Sequence, residues 1–239
     1  FNVSSTPKLF TSLGADLYFQ GNPGSGIGLL RYRAGKVSEV GTSLQPTQLL
    51  AVGDTLYLRK GGSSKKLYRV KNSETDTTEV KTQASTPASL DLADQAFAAT
   101  GSMLFVSGTD KKLYKVDTSQ ATPAATAIGP TFAAVPTGLT VMGEKLYEKL
   151  YFQGTDGTGT DQKGTELWVY DPKTATSATN PKRLTDINTD AGNSTPDLLT
   201  VLGEYLYFKA SNGTNTDLYR YKDGDGDATP AKIGTNLDP

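Results

Sequence analysis

The amino-acid sequence predicts an all-β protein, a five-bladed β-propeller with four antiparallel strands per blade. One pattern occurs five times: a short apolar run ending in Gly, then Leu-Tyr-Phe or a variant, a loop, and Leu-Tyr-Arg or a variant. Repetition at a fixed period of some 20 to 50 residues is typical of solenoids and propellers, and 239 residues divided among five copies give about 48 each. Four short strands per copy favour the propeller.

The clearest copy shows what each element is. Apolar residues at 198–202 end at Gly203, Tyr205 to Lys209 alternate with period two, and Asp217 to Tyr221 do the same. Tyr, Phe, Val and Leu in short alternating runs between Gly, Asn and Asp predict strands.

The other four copies repeat this order and add a fourth alternating segment. Together they predict blades at residues 1–44, 45–84, 85–130, 131–193 and 194–239, within one domain over 1–239. The only modest helical candidate is the segment 89–96.

Composition limits the partners. A net charge of −1, from 24 basic and 25 acidic residues, argues against general attraction to nucleic acid. No run of eighteen apolar residues is present, so we expect no membrane insertion. Phe1 at the first position indicates a processed or trimmed chain.

Two missing residue types limit the chemistry. The chain has no His and no Cys, which excludes Ser-His-Asp and Cys-His mechanisms, disulfides and Cys-type zinc sites. We expect no enzyme and no cofactor. A carboxylate-pair glycosidase stays open as a minor alternative, with Asp91, Asp94 and Asp197 as its nearest candidates.

A cation and an adjacent aromatic residue recur in the Leu-Tyr-Arg segment of the pattern or its variants. Rings cover apolar sugar faces and Arg donates paired hydrogen bonds, so such pairs suit a repeated carbohydrate or carboxylate site. Strand alternation alone also explains the pattern, with rings packed between blades and cation heads pointing outward. The candidates are Arg31, Arg69, Lys115 and Arg220, with Tyr68, Tyr114, Trp168 and Tyr219.

A metal site has weaker support. Asp223, Asp225 and Asp227 alternate with Gly as in the start of a calcium loop. However, Gly234 stands where an EF-hand loop needs its last carboxylate, so an acidic turn is the simpler interpretation and we expect no metal.

A family resemblance covers residues 164–221. Gly164-Thr165-Glu166-Leu167-Trp168, followed by Lys182 to Ile187 and Ser194 to Phe208, resembles the ELWxxDGT repeat family of bacterial, largely secreted propeller-like proteins. The family's Asp-Gly-Thr is replaced here by Asp171-Pro172-Lys173-Thr174. The resemblance implies a propeller fold and secretion, but no defined activity.

These observations predict a non-catalytic extracellular or cell-surface binding propeller that is lectin-like and recognises carbohydrate at repeated sites. The alternative is a structural or protein–protein interaction propeller, either complete or a fragment of a larger repeat protein, whose partner is an extracellular protein. Exposed rings at the repeated positions would favour a lectin, whereas buried rings would favour a scaffold.

Overall fold

The fold is seen in a computed structural model of the chain. It describes residues 6–41, 44–72, 74–143, 148–156, 162–174, 181–224 and 230–234.

Twenty strands make up almost all of the regular structure in these residues. Blade one comprises β1 (Lys8–Leu13), β2 (Asp16–Gly21), β3 (Gly28–Arg33) and β4 (Lys36–Glu39). Blade two comprises β5 (Pro46–Val52), β6 (Thr55–Lys60), β7 (Leu67–Lys71) and β8 (Thr78–Glu79). Blade three comprises β9 (Ala98–Thr100), β10 (Met103–Ser107), β11 (Leu113–Asp117) and β12 (Ala125–Ile128). Blade four comprises β13 (Thr137–Met142), β14 (Lys149–Thr155), β15 (Thr165–Tyr170) and β16 (Lys182–Arg183). Blade five comprises β17 (Asp197–Leu202), β18 (Tyr205–Ser211), β19 (Thr216–Lys222) and β20 (Ala231–Ile233).

Each group of four consecutive strands forms its own antiparallel sheet, in which every strand pairs with the next one along the chain. The predicted fold class, a five-bladed β-propeller with four antiparallel strands per blade, is confirmed. Tight hairpins join the first two strands of blades one, two and five, and Gly14, Gly53 and Gly203 start these turns at φ of 59°, 61° and 60°. The recurring Gly therefore supplies a left-handed backbone conformation that other residues rarely adopt.

Helix is almost absent from the described ranges, which contain one short 3₁₀ turn at Pro172–Thr174. No helix there is long and apolar enough to cross a membrane. The helical candidate at 89–96 is wrong: Ser89 and Asp91 form isolated bridges with Lys81 and Lys66. Pairing with a neighbouring segment overrides the weak local preference for helix.

The chain divides into two compact units, which are described separately. Unit 1 holds Phe1–Ala93, Gly101–Leu104 and Val116–Thr126, and unit 2 holds Asp94–Thr100, Phe105–Lys115 and Ala127–Pro239. The third sheet contributes residues to both units. The expectation of a single domain over 1–239 stays a prediction.

Within each unit, neighbouring blades bury apolar faces against each other. In unit 1, Leu13 and Tyr18 of blade one pack with Leu56 and Leu58 of blade two. In unit 2, Tyr151 and Met142 of blade four lie in one cluster with Leu206 and Phe208 of blade five. The first strands of neighbouring blades also contact each other, β1 with β5 in unit 1 and β9 and β17 with β13 in unit 2.

A repeated hydrogen bond ties each of blades one to four to the segment that leads into the next blade. Its donor is the fourth residue of the Leu-Tyr-Phe-Gln segment or its counterpart, and its acceptor is a backbone carbonyl. Gln20 Nε2 donates to Pro46 O (2.7 Å) and Gln153 Nε2 to Pro196 O (3.0 Å). Ser107 Oγ donates to Pro136 O (2.7 Å) and Arg59 Nη1 to Ala93 O (2.9 Å). The Gln of this segment is therefore a structural element of the repeat.

We expect Gln153→Ala to lower the free energy of unfolding by about 1 to 3 kcal/mol, because it leaves the Pro196 carbonyl without its donor in a buried position. Urea unfolding followed by circular dichroism measures this loss. Gln120→Ala is the matched control, since Gln120 is exposed and bonds only to Asp117 on its own turn, so a change under about 0.5 kcal/mol is expected. Equal losses in both variants would show that the bond to Pro196 adds nothing.

A buried carboxylate makes a second tie between blades four and five. Glu166 on β15 is fully buried, and its oxygens accept from Thr185 Oγ1 (2.8 Å) and Ser194 Oγ (2.5 Å). The backbone N–H groups of Ser194 (3.1 Å) and Ile187 (3.4 Å) also donate to it. Ser194 precedes the first strand of blade five, so the network fixes the start of one blade against the third strand of the other.

Candidate functional site

Three of the four predicted cations bind groups of the next blade. Arg31 Nη1 donates to Glu74 O (3.2 Å), and Arg69 Nη2 to Ala121 O (3.2 Å), both within unit 1. Lys115 Nζ donates to the Tyr170 hydroxyl (3.1 Å) in unit 2. These side chains are buried or half-buried, so their hydrogen bonds stabilise the packing of the blades.

Arg220 differs from the other three cations. Its side chain is exposed, and its guanidinium lies 4.9 Å from the centre of the Tyr205 ring. This is a favourable cation–π contact at the surface of blade five.

The predicted aromatic residues are packed inside the blades. Tyr114, Trp168 and Tyr219 are 6, 8 and 6% exposed, and Tyr68 is half-buried against the unit 1 core. Trp168 meets Phe132 edge to face at 5.2 Å between ring centres, and Tyr219 stacks on Phe208 at 5.9 Å.

Burial also affects the hydroxyl of Tyr114. This hydroxyl donates to Asp110 Oδ2 (2.7 Å), and burial, followed by this bond to a carboxylate, raises its pKa above the usual 10. Tyr114 therefore stays neutral over the ordinary pH range.

A Gly close to the end of the second strand makes room for two of these rings. A Cβ on Gly154 would lie 2.8 Å from Trp168 Cδ1, and one on Gly108 would lie 2.9 Å from Tyr114 Cε2. Both distances are too short for carbon atoms, so only Gly allows the ring on the third strand to lie flat against the second.

The acidic candidates do not converge on a described site. Asp91 pairs with Lys66 (2.7 Å), while Asp94 and Asp197 are exposed. Asp223 pairs with Lys149 (2.8 Å), and the other two residues of the weak calcium candidate, Asp225 and Asp227, lie outside the described residues. Within the described ranges, no group of three or more acidic residues could hold a metal ion.

A groove between blades four and five is the candidate functional site. It has a volume of about 530 Å³ and lies where the first strands of the two blades end. Val141, Met142 and Val201 form its apolar part, and Gly143 and Gly203 also line it. A concave site of this size with an apolar floor and few polar groups is typical of ligand-binding pockets.

Charged residues of both signs stand at the rim of the groove. Lys222 Nζ lies 3.1 Å from Glu204 Oε2, and Asp223 Oδ2 lies 2.8 Å from Lys149 Nζ. Lys222 also lies 5.8 Å from the centre of the Tyr205 ring. The groove therefore offers apolar contact at its floor and paired charges at its edge, which suits a ligand that is apolar in one part and polar in another.

Sequence reasoning did not identify the groove. Its floor comes from Thr-Val-Met-Gly and Thr-Val-Leu-Gly, which carry the ordinary apolar pattern of a first strand. The sequence places Val201 and Met142 in strands, but it does not show which side of a strand its neighbour leaves uncovered.

Comparison with known proteins shows the fold alone. No family model matches the chain, and no curated protein matches it. A puromycin-hydrolyzing peptidase of Mycobacterium tuberculosis is similar at TM-score 0.54 and 12% identity, over 97% of this chain and 38% of that one. A prolyl endopeptidase is similar at TM-score 0.56 and 10% identity, over 96% and 35%. A post-proline cleaving enzyme of Rickettsia typhi is similar at TM-score 0.55 and 10% identity, over 96% and 38%. The chain thus spans 35 to 38% of the length of these three proteins.

Proposed function

We propose that the protein is a non-catalytic propeller that binds a polypeptide segment in the groove between blades four and five. The observation that carries this proposal is the apolar floor of Val141, Met142 and Val201 beneath a rim of Glu204, Lys222 and Asp223. An apolar side chain of the partner fills the floor, and its polar neighbours meet the rim.

The chemistry of the groove favours a peptide over a sugar. No aromatic ring is among its described lining residues, whereas sugar sites use ring faces. Aliphatic side chains provide non-directional apolar burial, which suits Leu, Ile or Met of a peptide. The rim charges provide specificity and orientation for charged neighbours.

The test is selection from a phage-displayed random peptide library on the immobilised protein, followed by calorimetry with a selected peptide. We expect the wild-type chain to yield peptides and Val201→Asp to weaken their binding at least tenfold, about 1.4 kcal/mol. The new carboxylate would have to lose its hydration against Met142 and the apolar anchor of the peptide. Val201 is 37% exposed, so its replacement leaves the core in place.

Ile27→Asp is the matched control. Ile27 is also β-branched and is 45% exposed, but it lies in a loop of unit 1 and is not among the residues that line the groove. Its replacement should leave peptide binding unchanged. Failure to select any peptide on the wild type, or unchanged binding by Val201→Asp, contradicts the proposal.

Carbohydrate recognition, the leading prediction from the sequence, remains a second candidate. The exposed Arg220 beside Tyr205 favours it, because this repeated cation lies at the surface next to an aromatic ring. Glycan-array binding that is lost in Arg220→Ala and retained in Val201→Asp would support this candidate over the peptide groove.

Three further predictions rest on the sequence. The absence of catalysis, the extracellular or cell-surface location and the extracellular protein partner are proposals that accompany the binding function. The missing His and Cys support the first, and the ELWxxDGT resemblance supports the location.

A further inference from the structure

Blade one holds two buried polar groups that lack a hydrogen-bond partner. Tyr18 is 0% exposed and Arg31 is 9% exposed. Neither Tyr18 Oη nor Arg31 Nε has a partner among the described residues. A buried hydroxyl or guanidinium group without a partner is costly, so both atoms indicate a ligand that accepts hydrogen bonds.

The two groups lie on the same face of one sheet. Tyr18 on β2 pairs directly with Arg31 on β3. Residues paired in this way in antiparallel strands have Cβ atoms about 4.5 to 5.5 Å apart, on one side of the sheet. This side is turned toward blade two, because Tyr18 packs with Leu56 and Leu58, and Arg31 Nη1 donates to Glu74 O (3.2 Å). All five residues belong to unit 1, so one small ligand between its two blades can meet both groups.

The positive charge of Arg31 is not matched by a carboxylate of its own among the described residues. Asp16 is the carboxylate whose pKa its charge affects, but Asp16 is bound by Arg33, whose Nε lies 2.7 Å from Oδ1 and 2.8 Å from Oδ2. This bond lowers the pKa of Asp16 against the opposite effect of burial, and the charge of Arg31 contributes less. Asp16 and Arg33 therefore neutralise each other, which leaves a buried positive charge at Arg31.

We propose that Tyr18 and Arg31 bind a small monovalent anion, chloride or bromide, between blades one and two. Such an ion accepts hydrogen bonds from the hydroxyl and from Nε, and it balances a charge that burial makes costly. A water molecule would accept the same hydrogen bonds but would leave the charge unbalanced. The burial of both side chains leaves no room for a sugar or a peptide, so this site is separate from the groove.

Two other tyrosines separate the role of the cation from that of the hydroxyl. Tyr57 and Tyr151 hold the same position in blades two and four, are 0% exposed, and have hydroxyls without a partner. Tyr57 pairs with Arg69, but Arg69 is half-buried, so water reaches its charge. Tyr151 pairs with Val169, which carries no charge. A buried hydroxyl therefore calls for an anion where its cross-strand partner is a buried cation.

Urea unfolding of the full chain in sodium chloride and in sodium gluconate, at equal ionic strength, tests the proposal. We expect chloride to raise the free energy of unfolding with a saturating dependence on its concentration, because an ion that binds the folded state stabilises it. Arg31→Gln should weaken the apparent chloride affinity about tenfold or more, and Tyr18→Phe about threefold. Tyr18→Phe removes only a hydroxyl, so it tests the site even where Arg31→Gln fails to fold.

Bromide locates the ion directly. A crystal grown in sodium bromide should show an anomalous scattering peak within hydrogen-bond distance of Arg31 Nε and Tyr18 Oη. Electron density without an anomalous signal at this point would identify a water molecule and overturn the proposal.

Tyr151→Phe is the matched control, because it removes an equally buried hydroxyl that faces Val169 instead of a cation. It should keep the chloride affinity of the wild type. Equal stability in chloride and gluconate, or a chloride effect that is unchanged in Tyr18→Phe and Arg31→Gln, overturns the proposal. Peptide binding should be unchanged in Tyr18→Phe, so this proposal and the proposed function can fail separately.

Discussion

Glu166→Ala is expected to lower the free energy of unfolding by about 3 to 4 kcal/mol, since each buried polar group left unsatisfied costs about 1 to 3 kcal/mol. The change removes the acceptor of Thr185 Oγ1, Ser194 Oγ and two backbone N–H groups in one step. Thr185 and Ile187 follow β16 of blade four, and Ser194 lies on the segment leading into blade five, so the loss loosens the contact between the two blades. Urea unfolding at fixed pH measures the effect.

The matched comparison is Asp197→Ala, because Asp197 is exposed and accepts only from its own neighbour, Leu198 N. Asp197→Ala should lower the free energy of unfolding by less than about 0.5 kcal/mol. A similar small loss for Glu166→Ala would contradict the network described here.

The same carboxyl should make stability depend on pH. Burial raises the pKa of Glu166 above its ordinary value of 4.5, although hydrogen bonds from Ser194 and Thr185 act in the opposite direction. Because this pKa is raised in the folded state, the protonated carboxyl of Glu166 adds to the free energy of unfolding. This addition is fully present below pH 4.5 and is lost as pH rises through the raised pKa. Glu166→Gln cannot titrate, so its stability should not show this decline. Urea unfolding of both proteins between about pH 4 and 7 compares the two slopes.

Trp168→Ala is expected to cost about 3 to 5 kcal/mol, the range for removing a large aromatic side chain from a core. Trp168 is 8% exposed and contacts Phe132 at 5.2 Å and Phe152 at 6.5 Å between ring centres. Gly154 leaves the space that the ring fills, so alanine at 168 creates a cavity beside it. Thermal and urea unfolding both report the loss.

Tyr32→Ala is the control for an aromatic residue at the surface. Tyr32 is 45% exposed, so its replacement should cost clearly less than that of Trp168. A loss under about 1 kcal/mol for Trp168→Ala, together with loss of ligand binding in a stable protein, would instead assign Trp168 to recognition.

The fold could be predicted because each blade repeats a local pattern. The Leu-Tyr-Phe and Leu-Tyr-Arg segments alternate with the period of a strand, and Gly14, Gly53 and Gly203 mark the turns. Neither feature depends on distant parts of the chain, so five four-stranded sheets follow from the sequence alone. The prediction of a helix over residues 89–96 was wrong for the opposite reason, since the segment pairs with Lys66 and Lys81, and this pairing is not a local feature.

The contacts between blades could not be predicted in the same way. Gln20 and Gln153 donate to backbone carbonyls of Pro46 and Pro196, and a carbonyl leaves no mark in the sequence. Arg31 and Arg69 likewise reach the carbonyls of Glu74 and Ala121. A cation beside an aromatic residue therefore looked like a binding site, although its hydrogen bond joins two blades.

We propose that recognition takes place in the groove and not at the repeated cation–aromatic positions. Titration of one selected peptide against Val201→Asp, Arg69→Ala and Arg220→Ala tests it most directly. We predict a loss of at least tenfold for Val201→Asp, and affinities within about threefold of wild type for the two arginine variants, under about 0.7 kcal/mol. Wild-type affinity in Val201→Asp, with a tenfold loss in Arg69→Ala or Arg220→Ala, would contradict the claim and return recognition to the repeated positions.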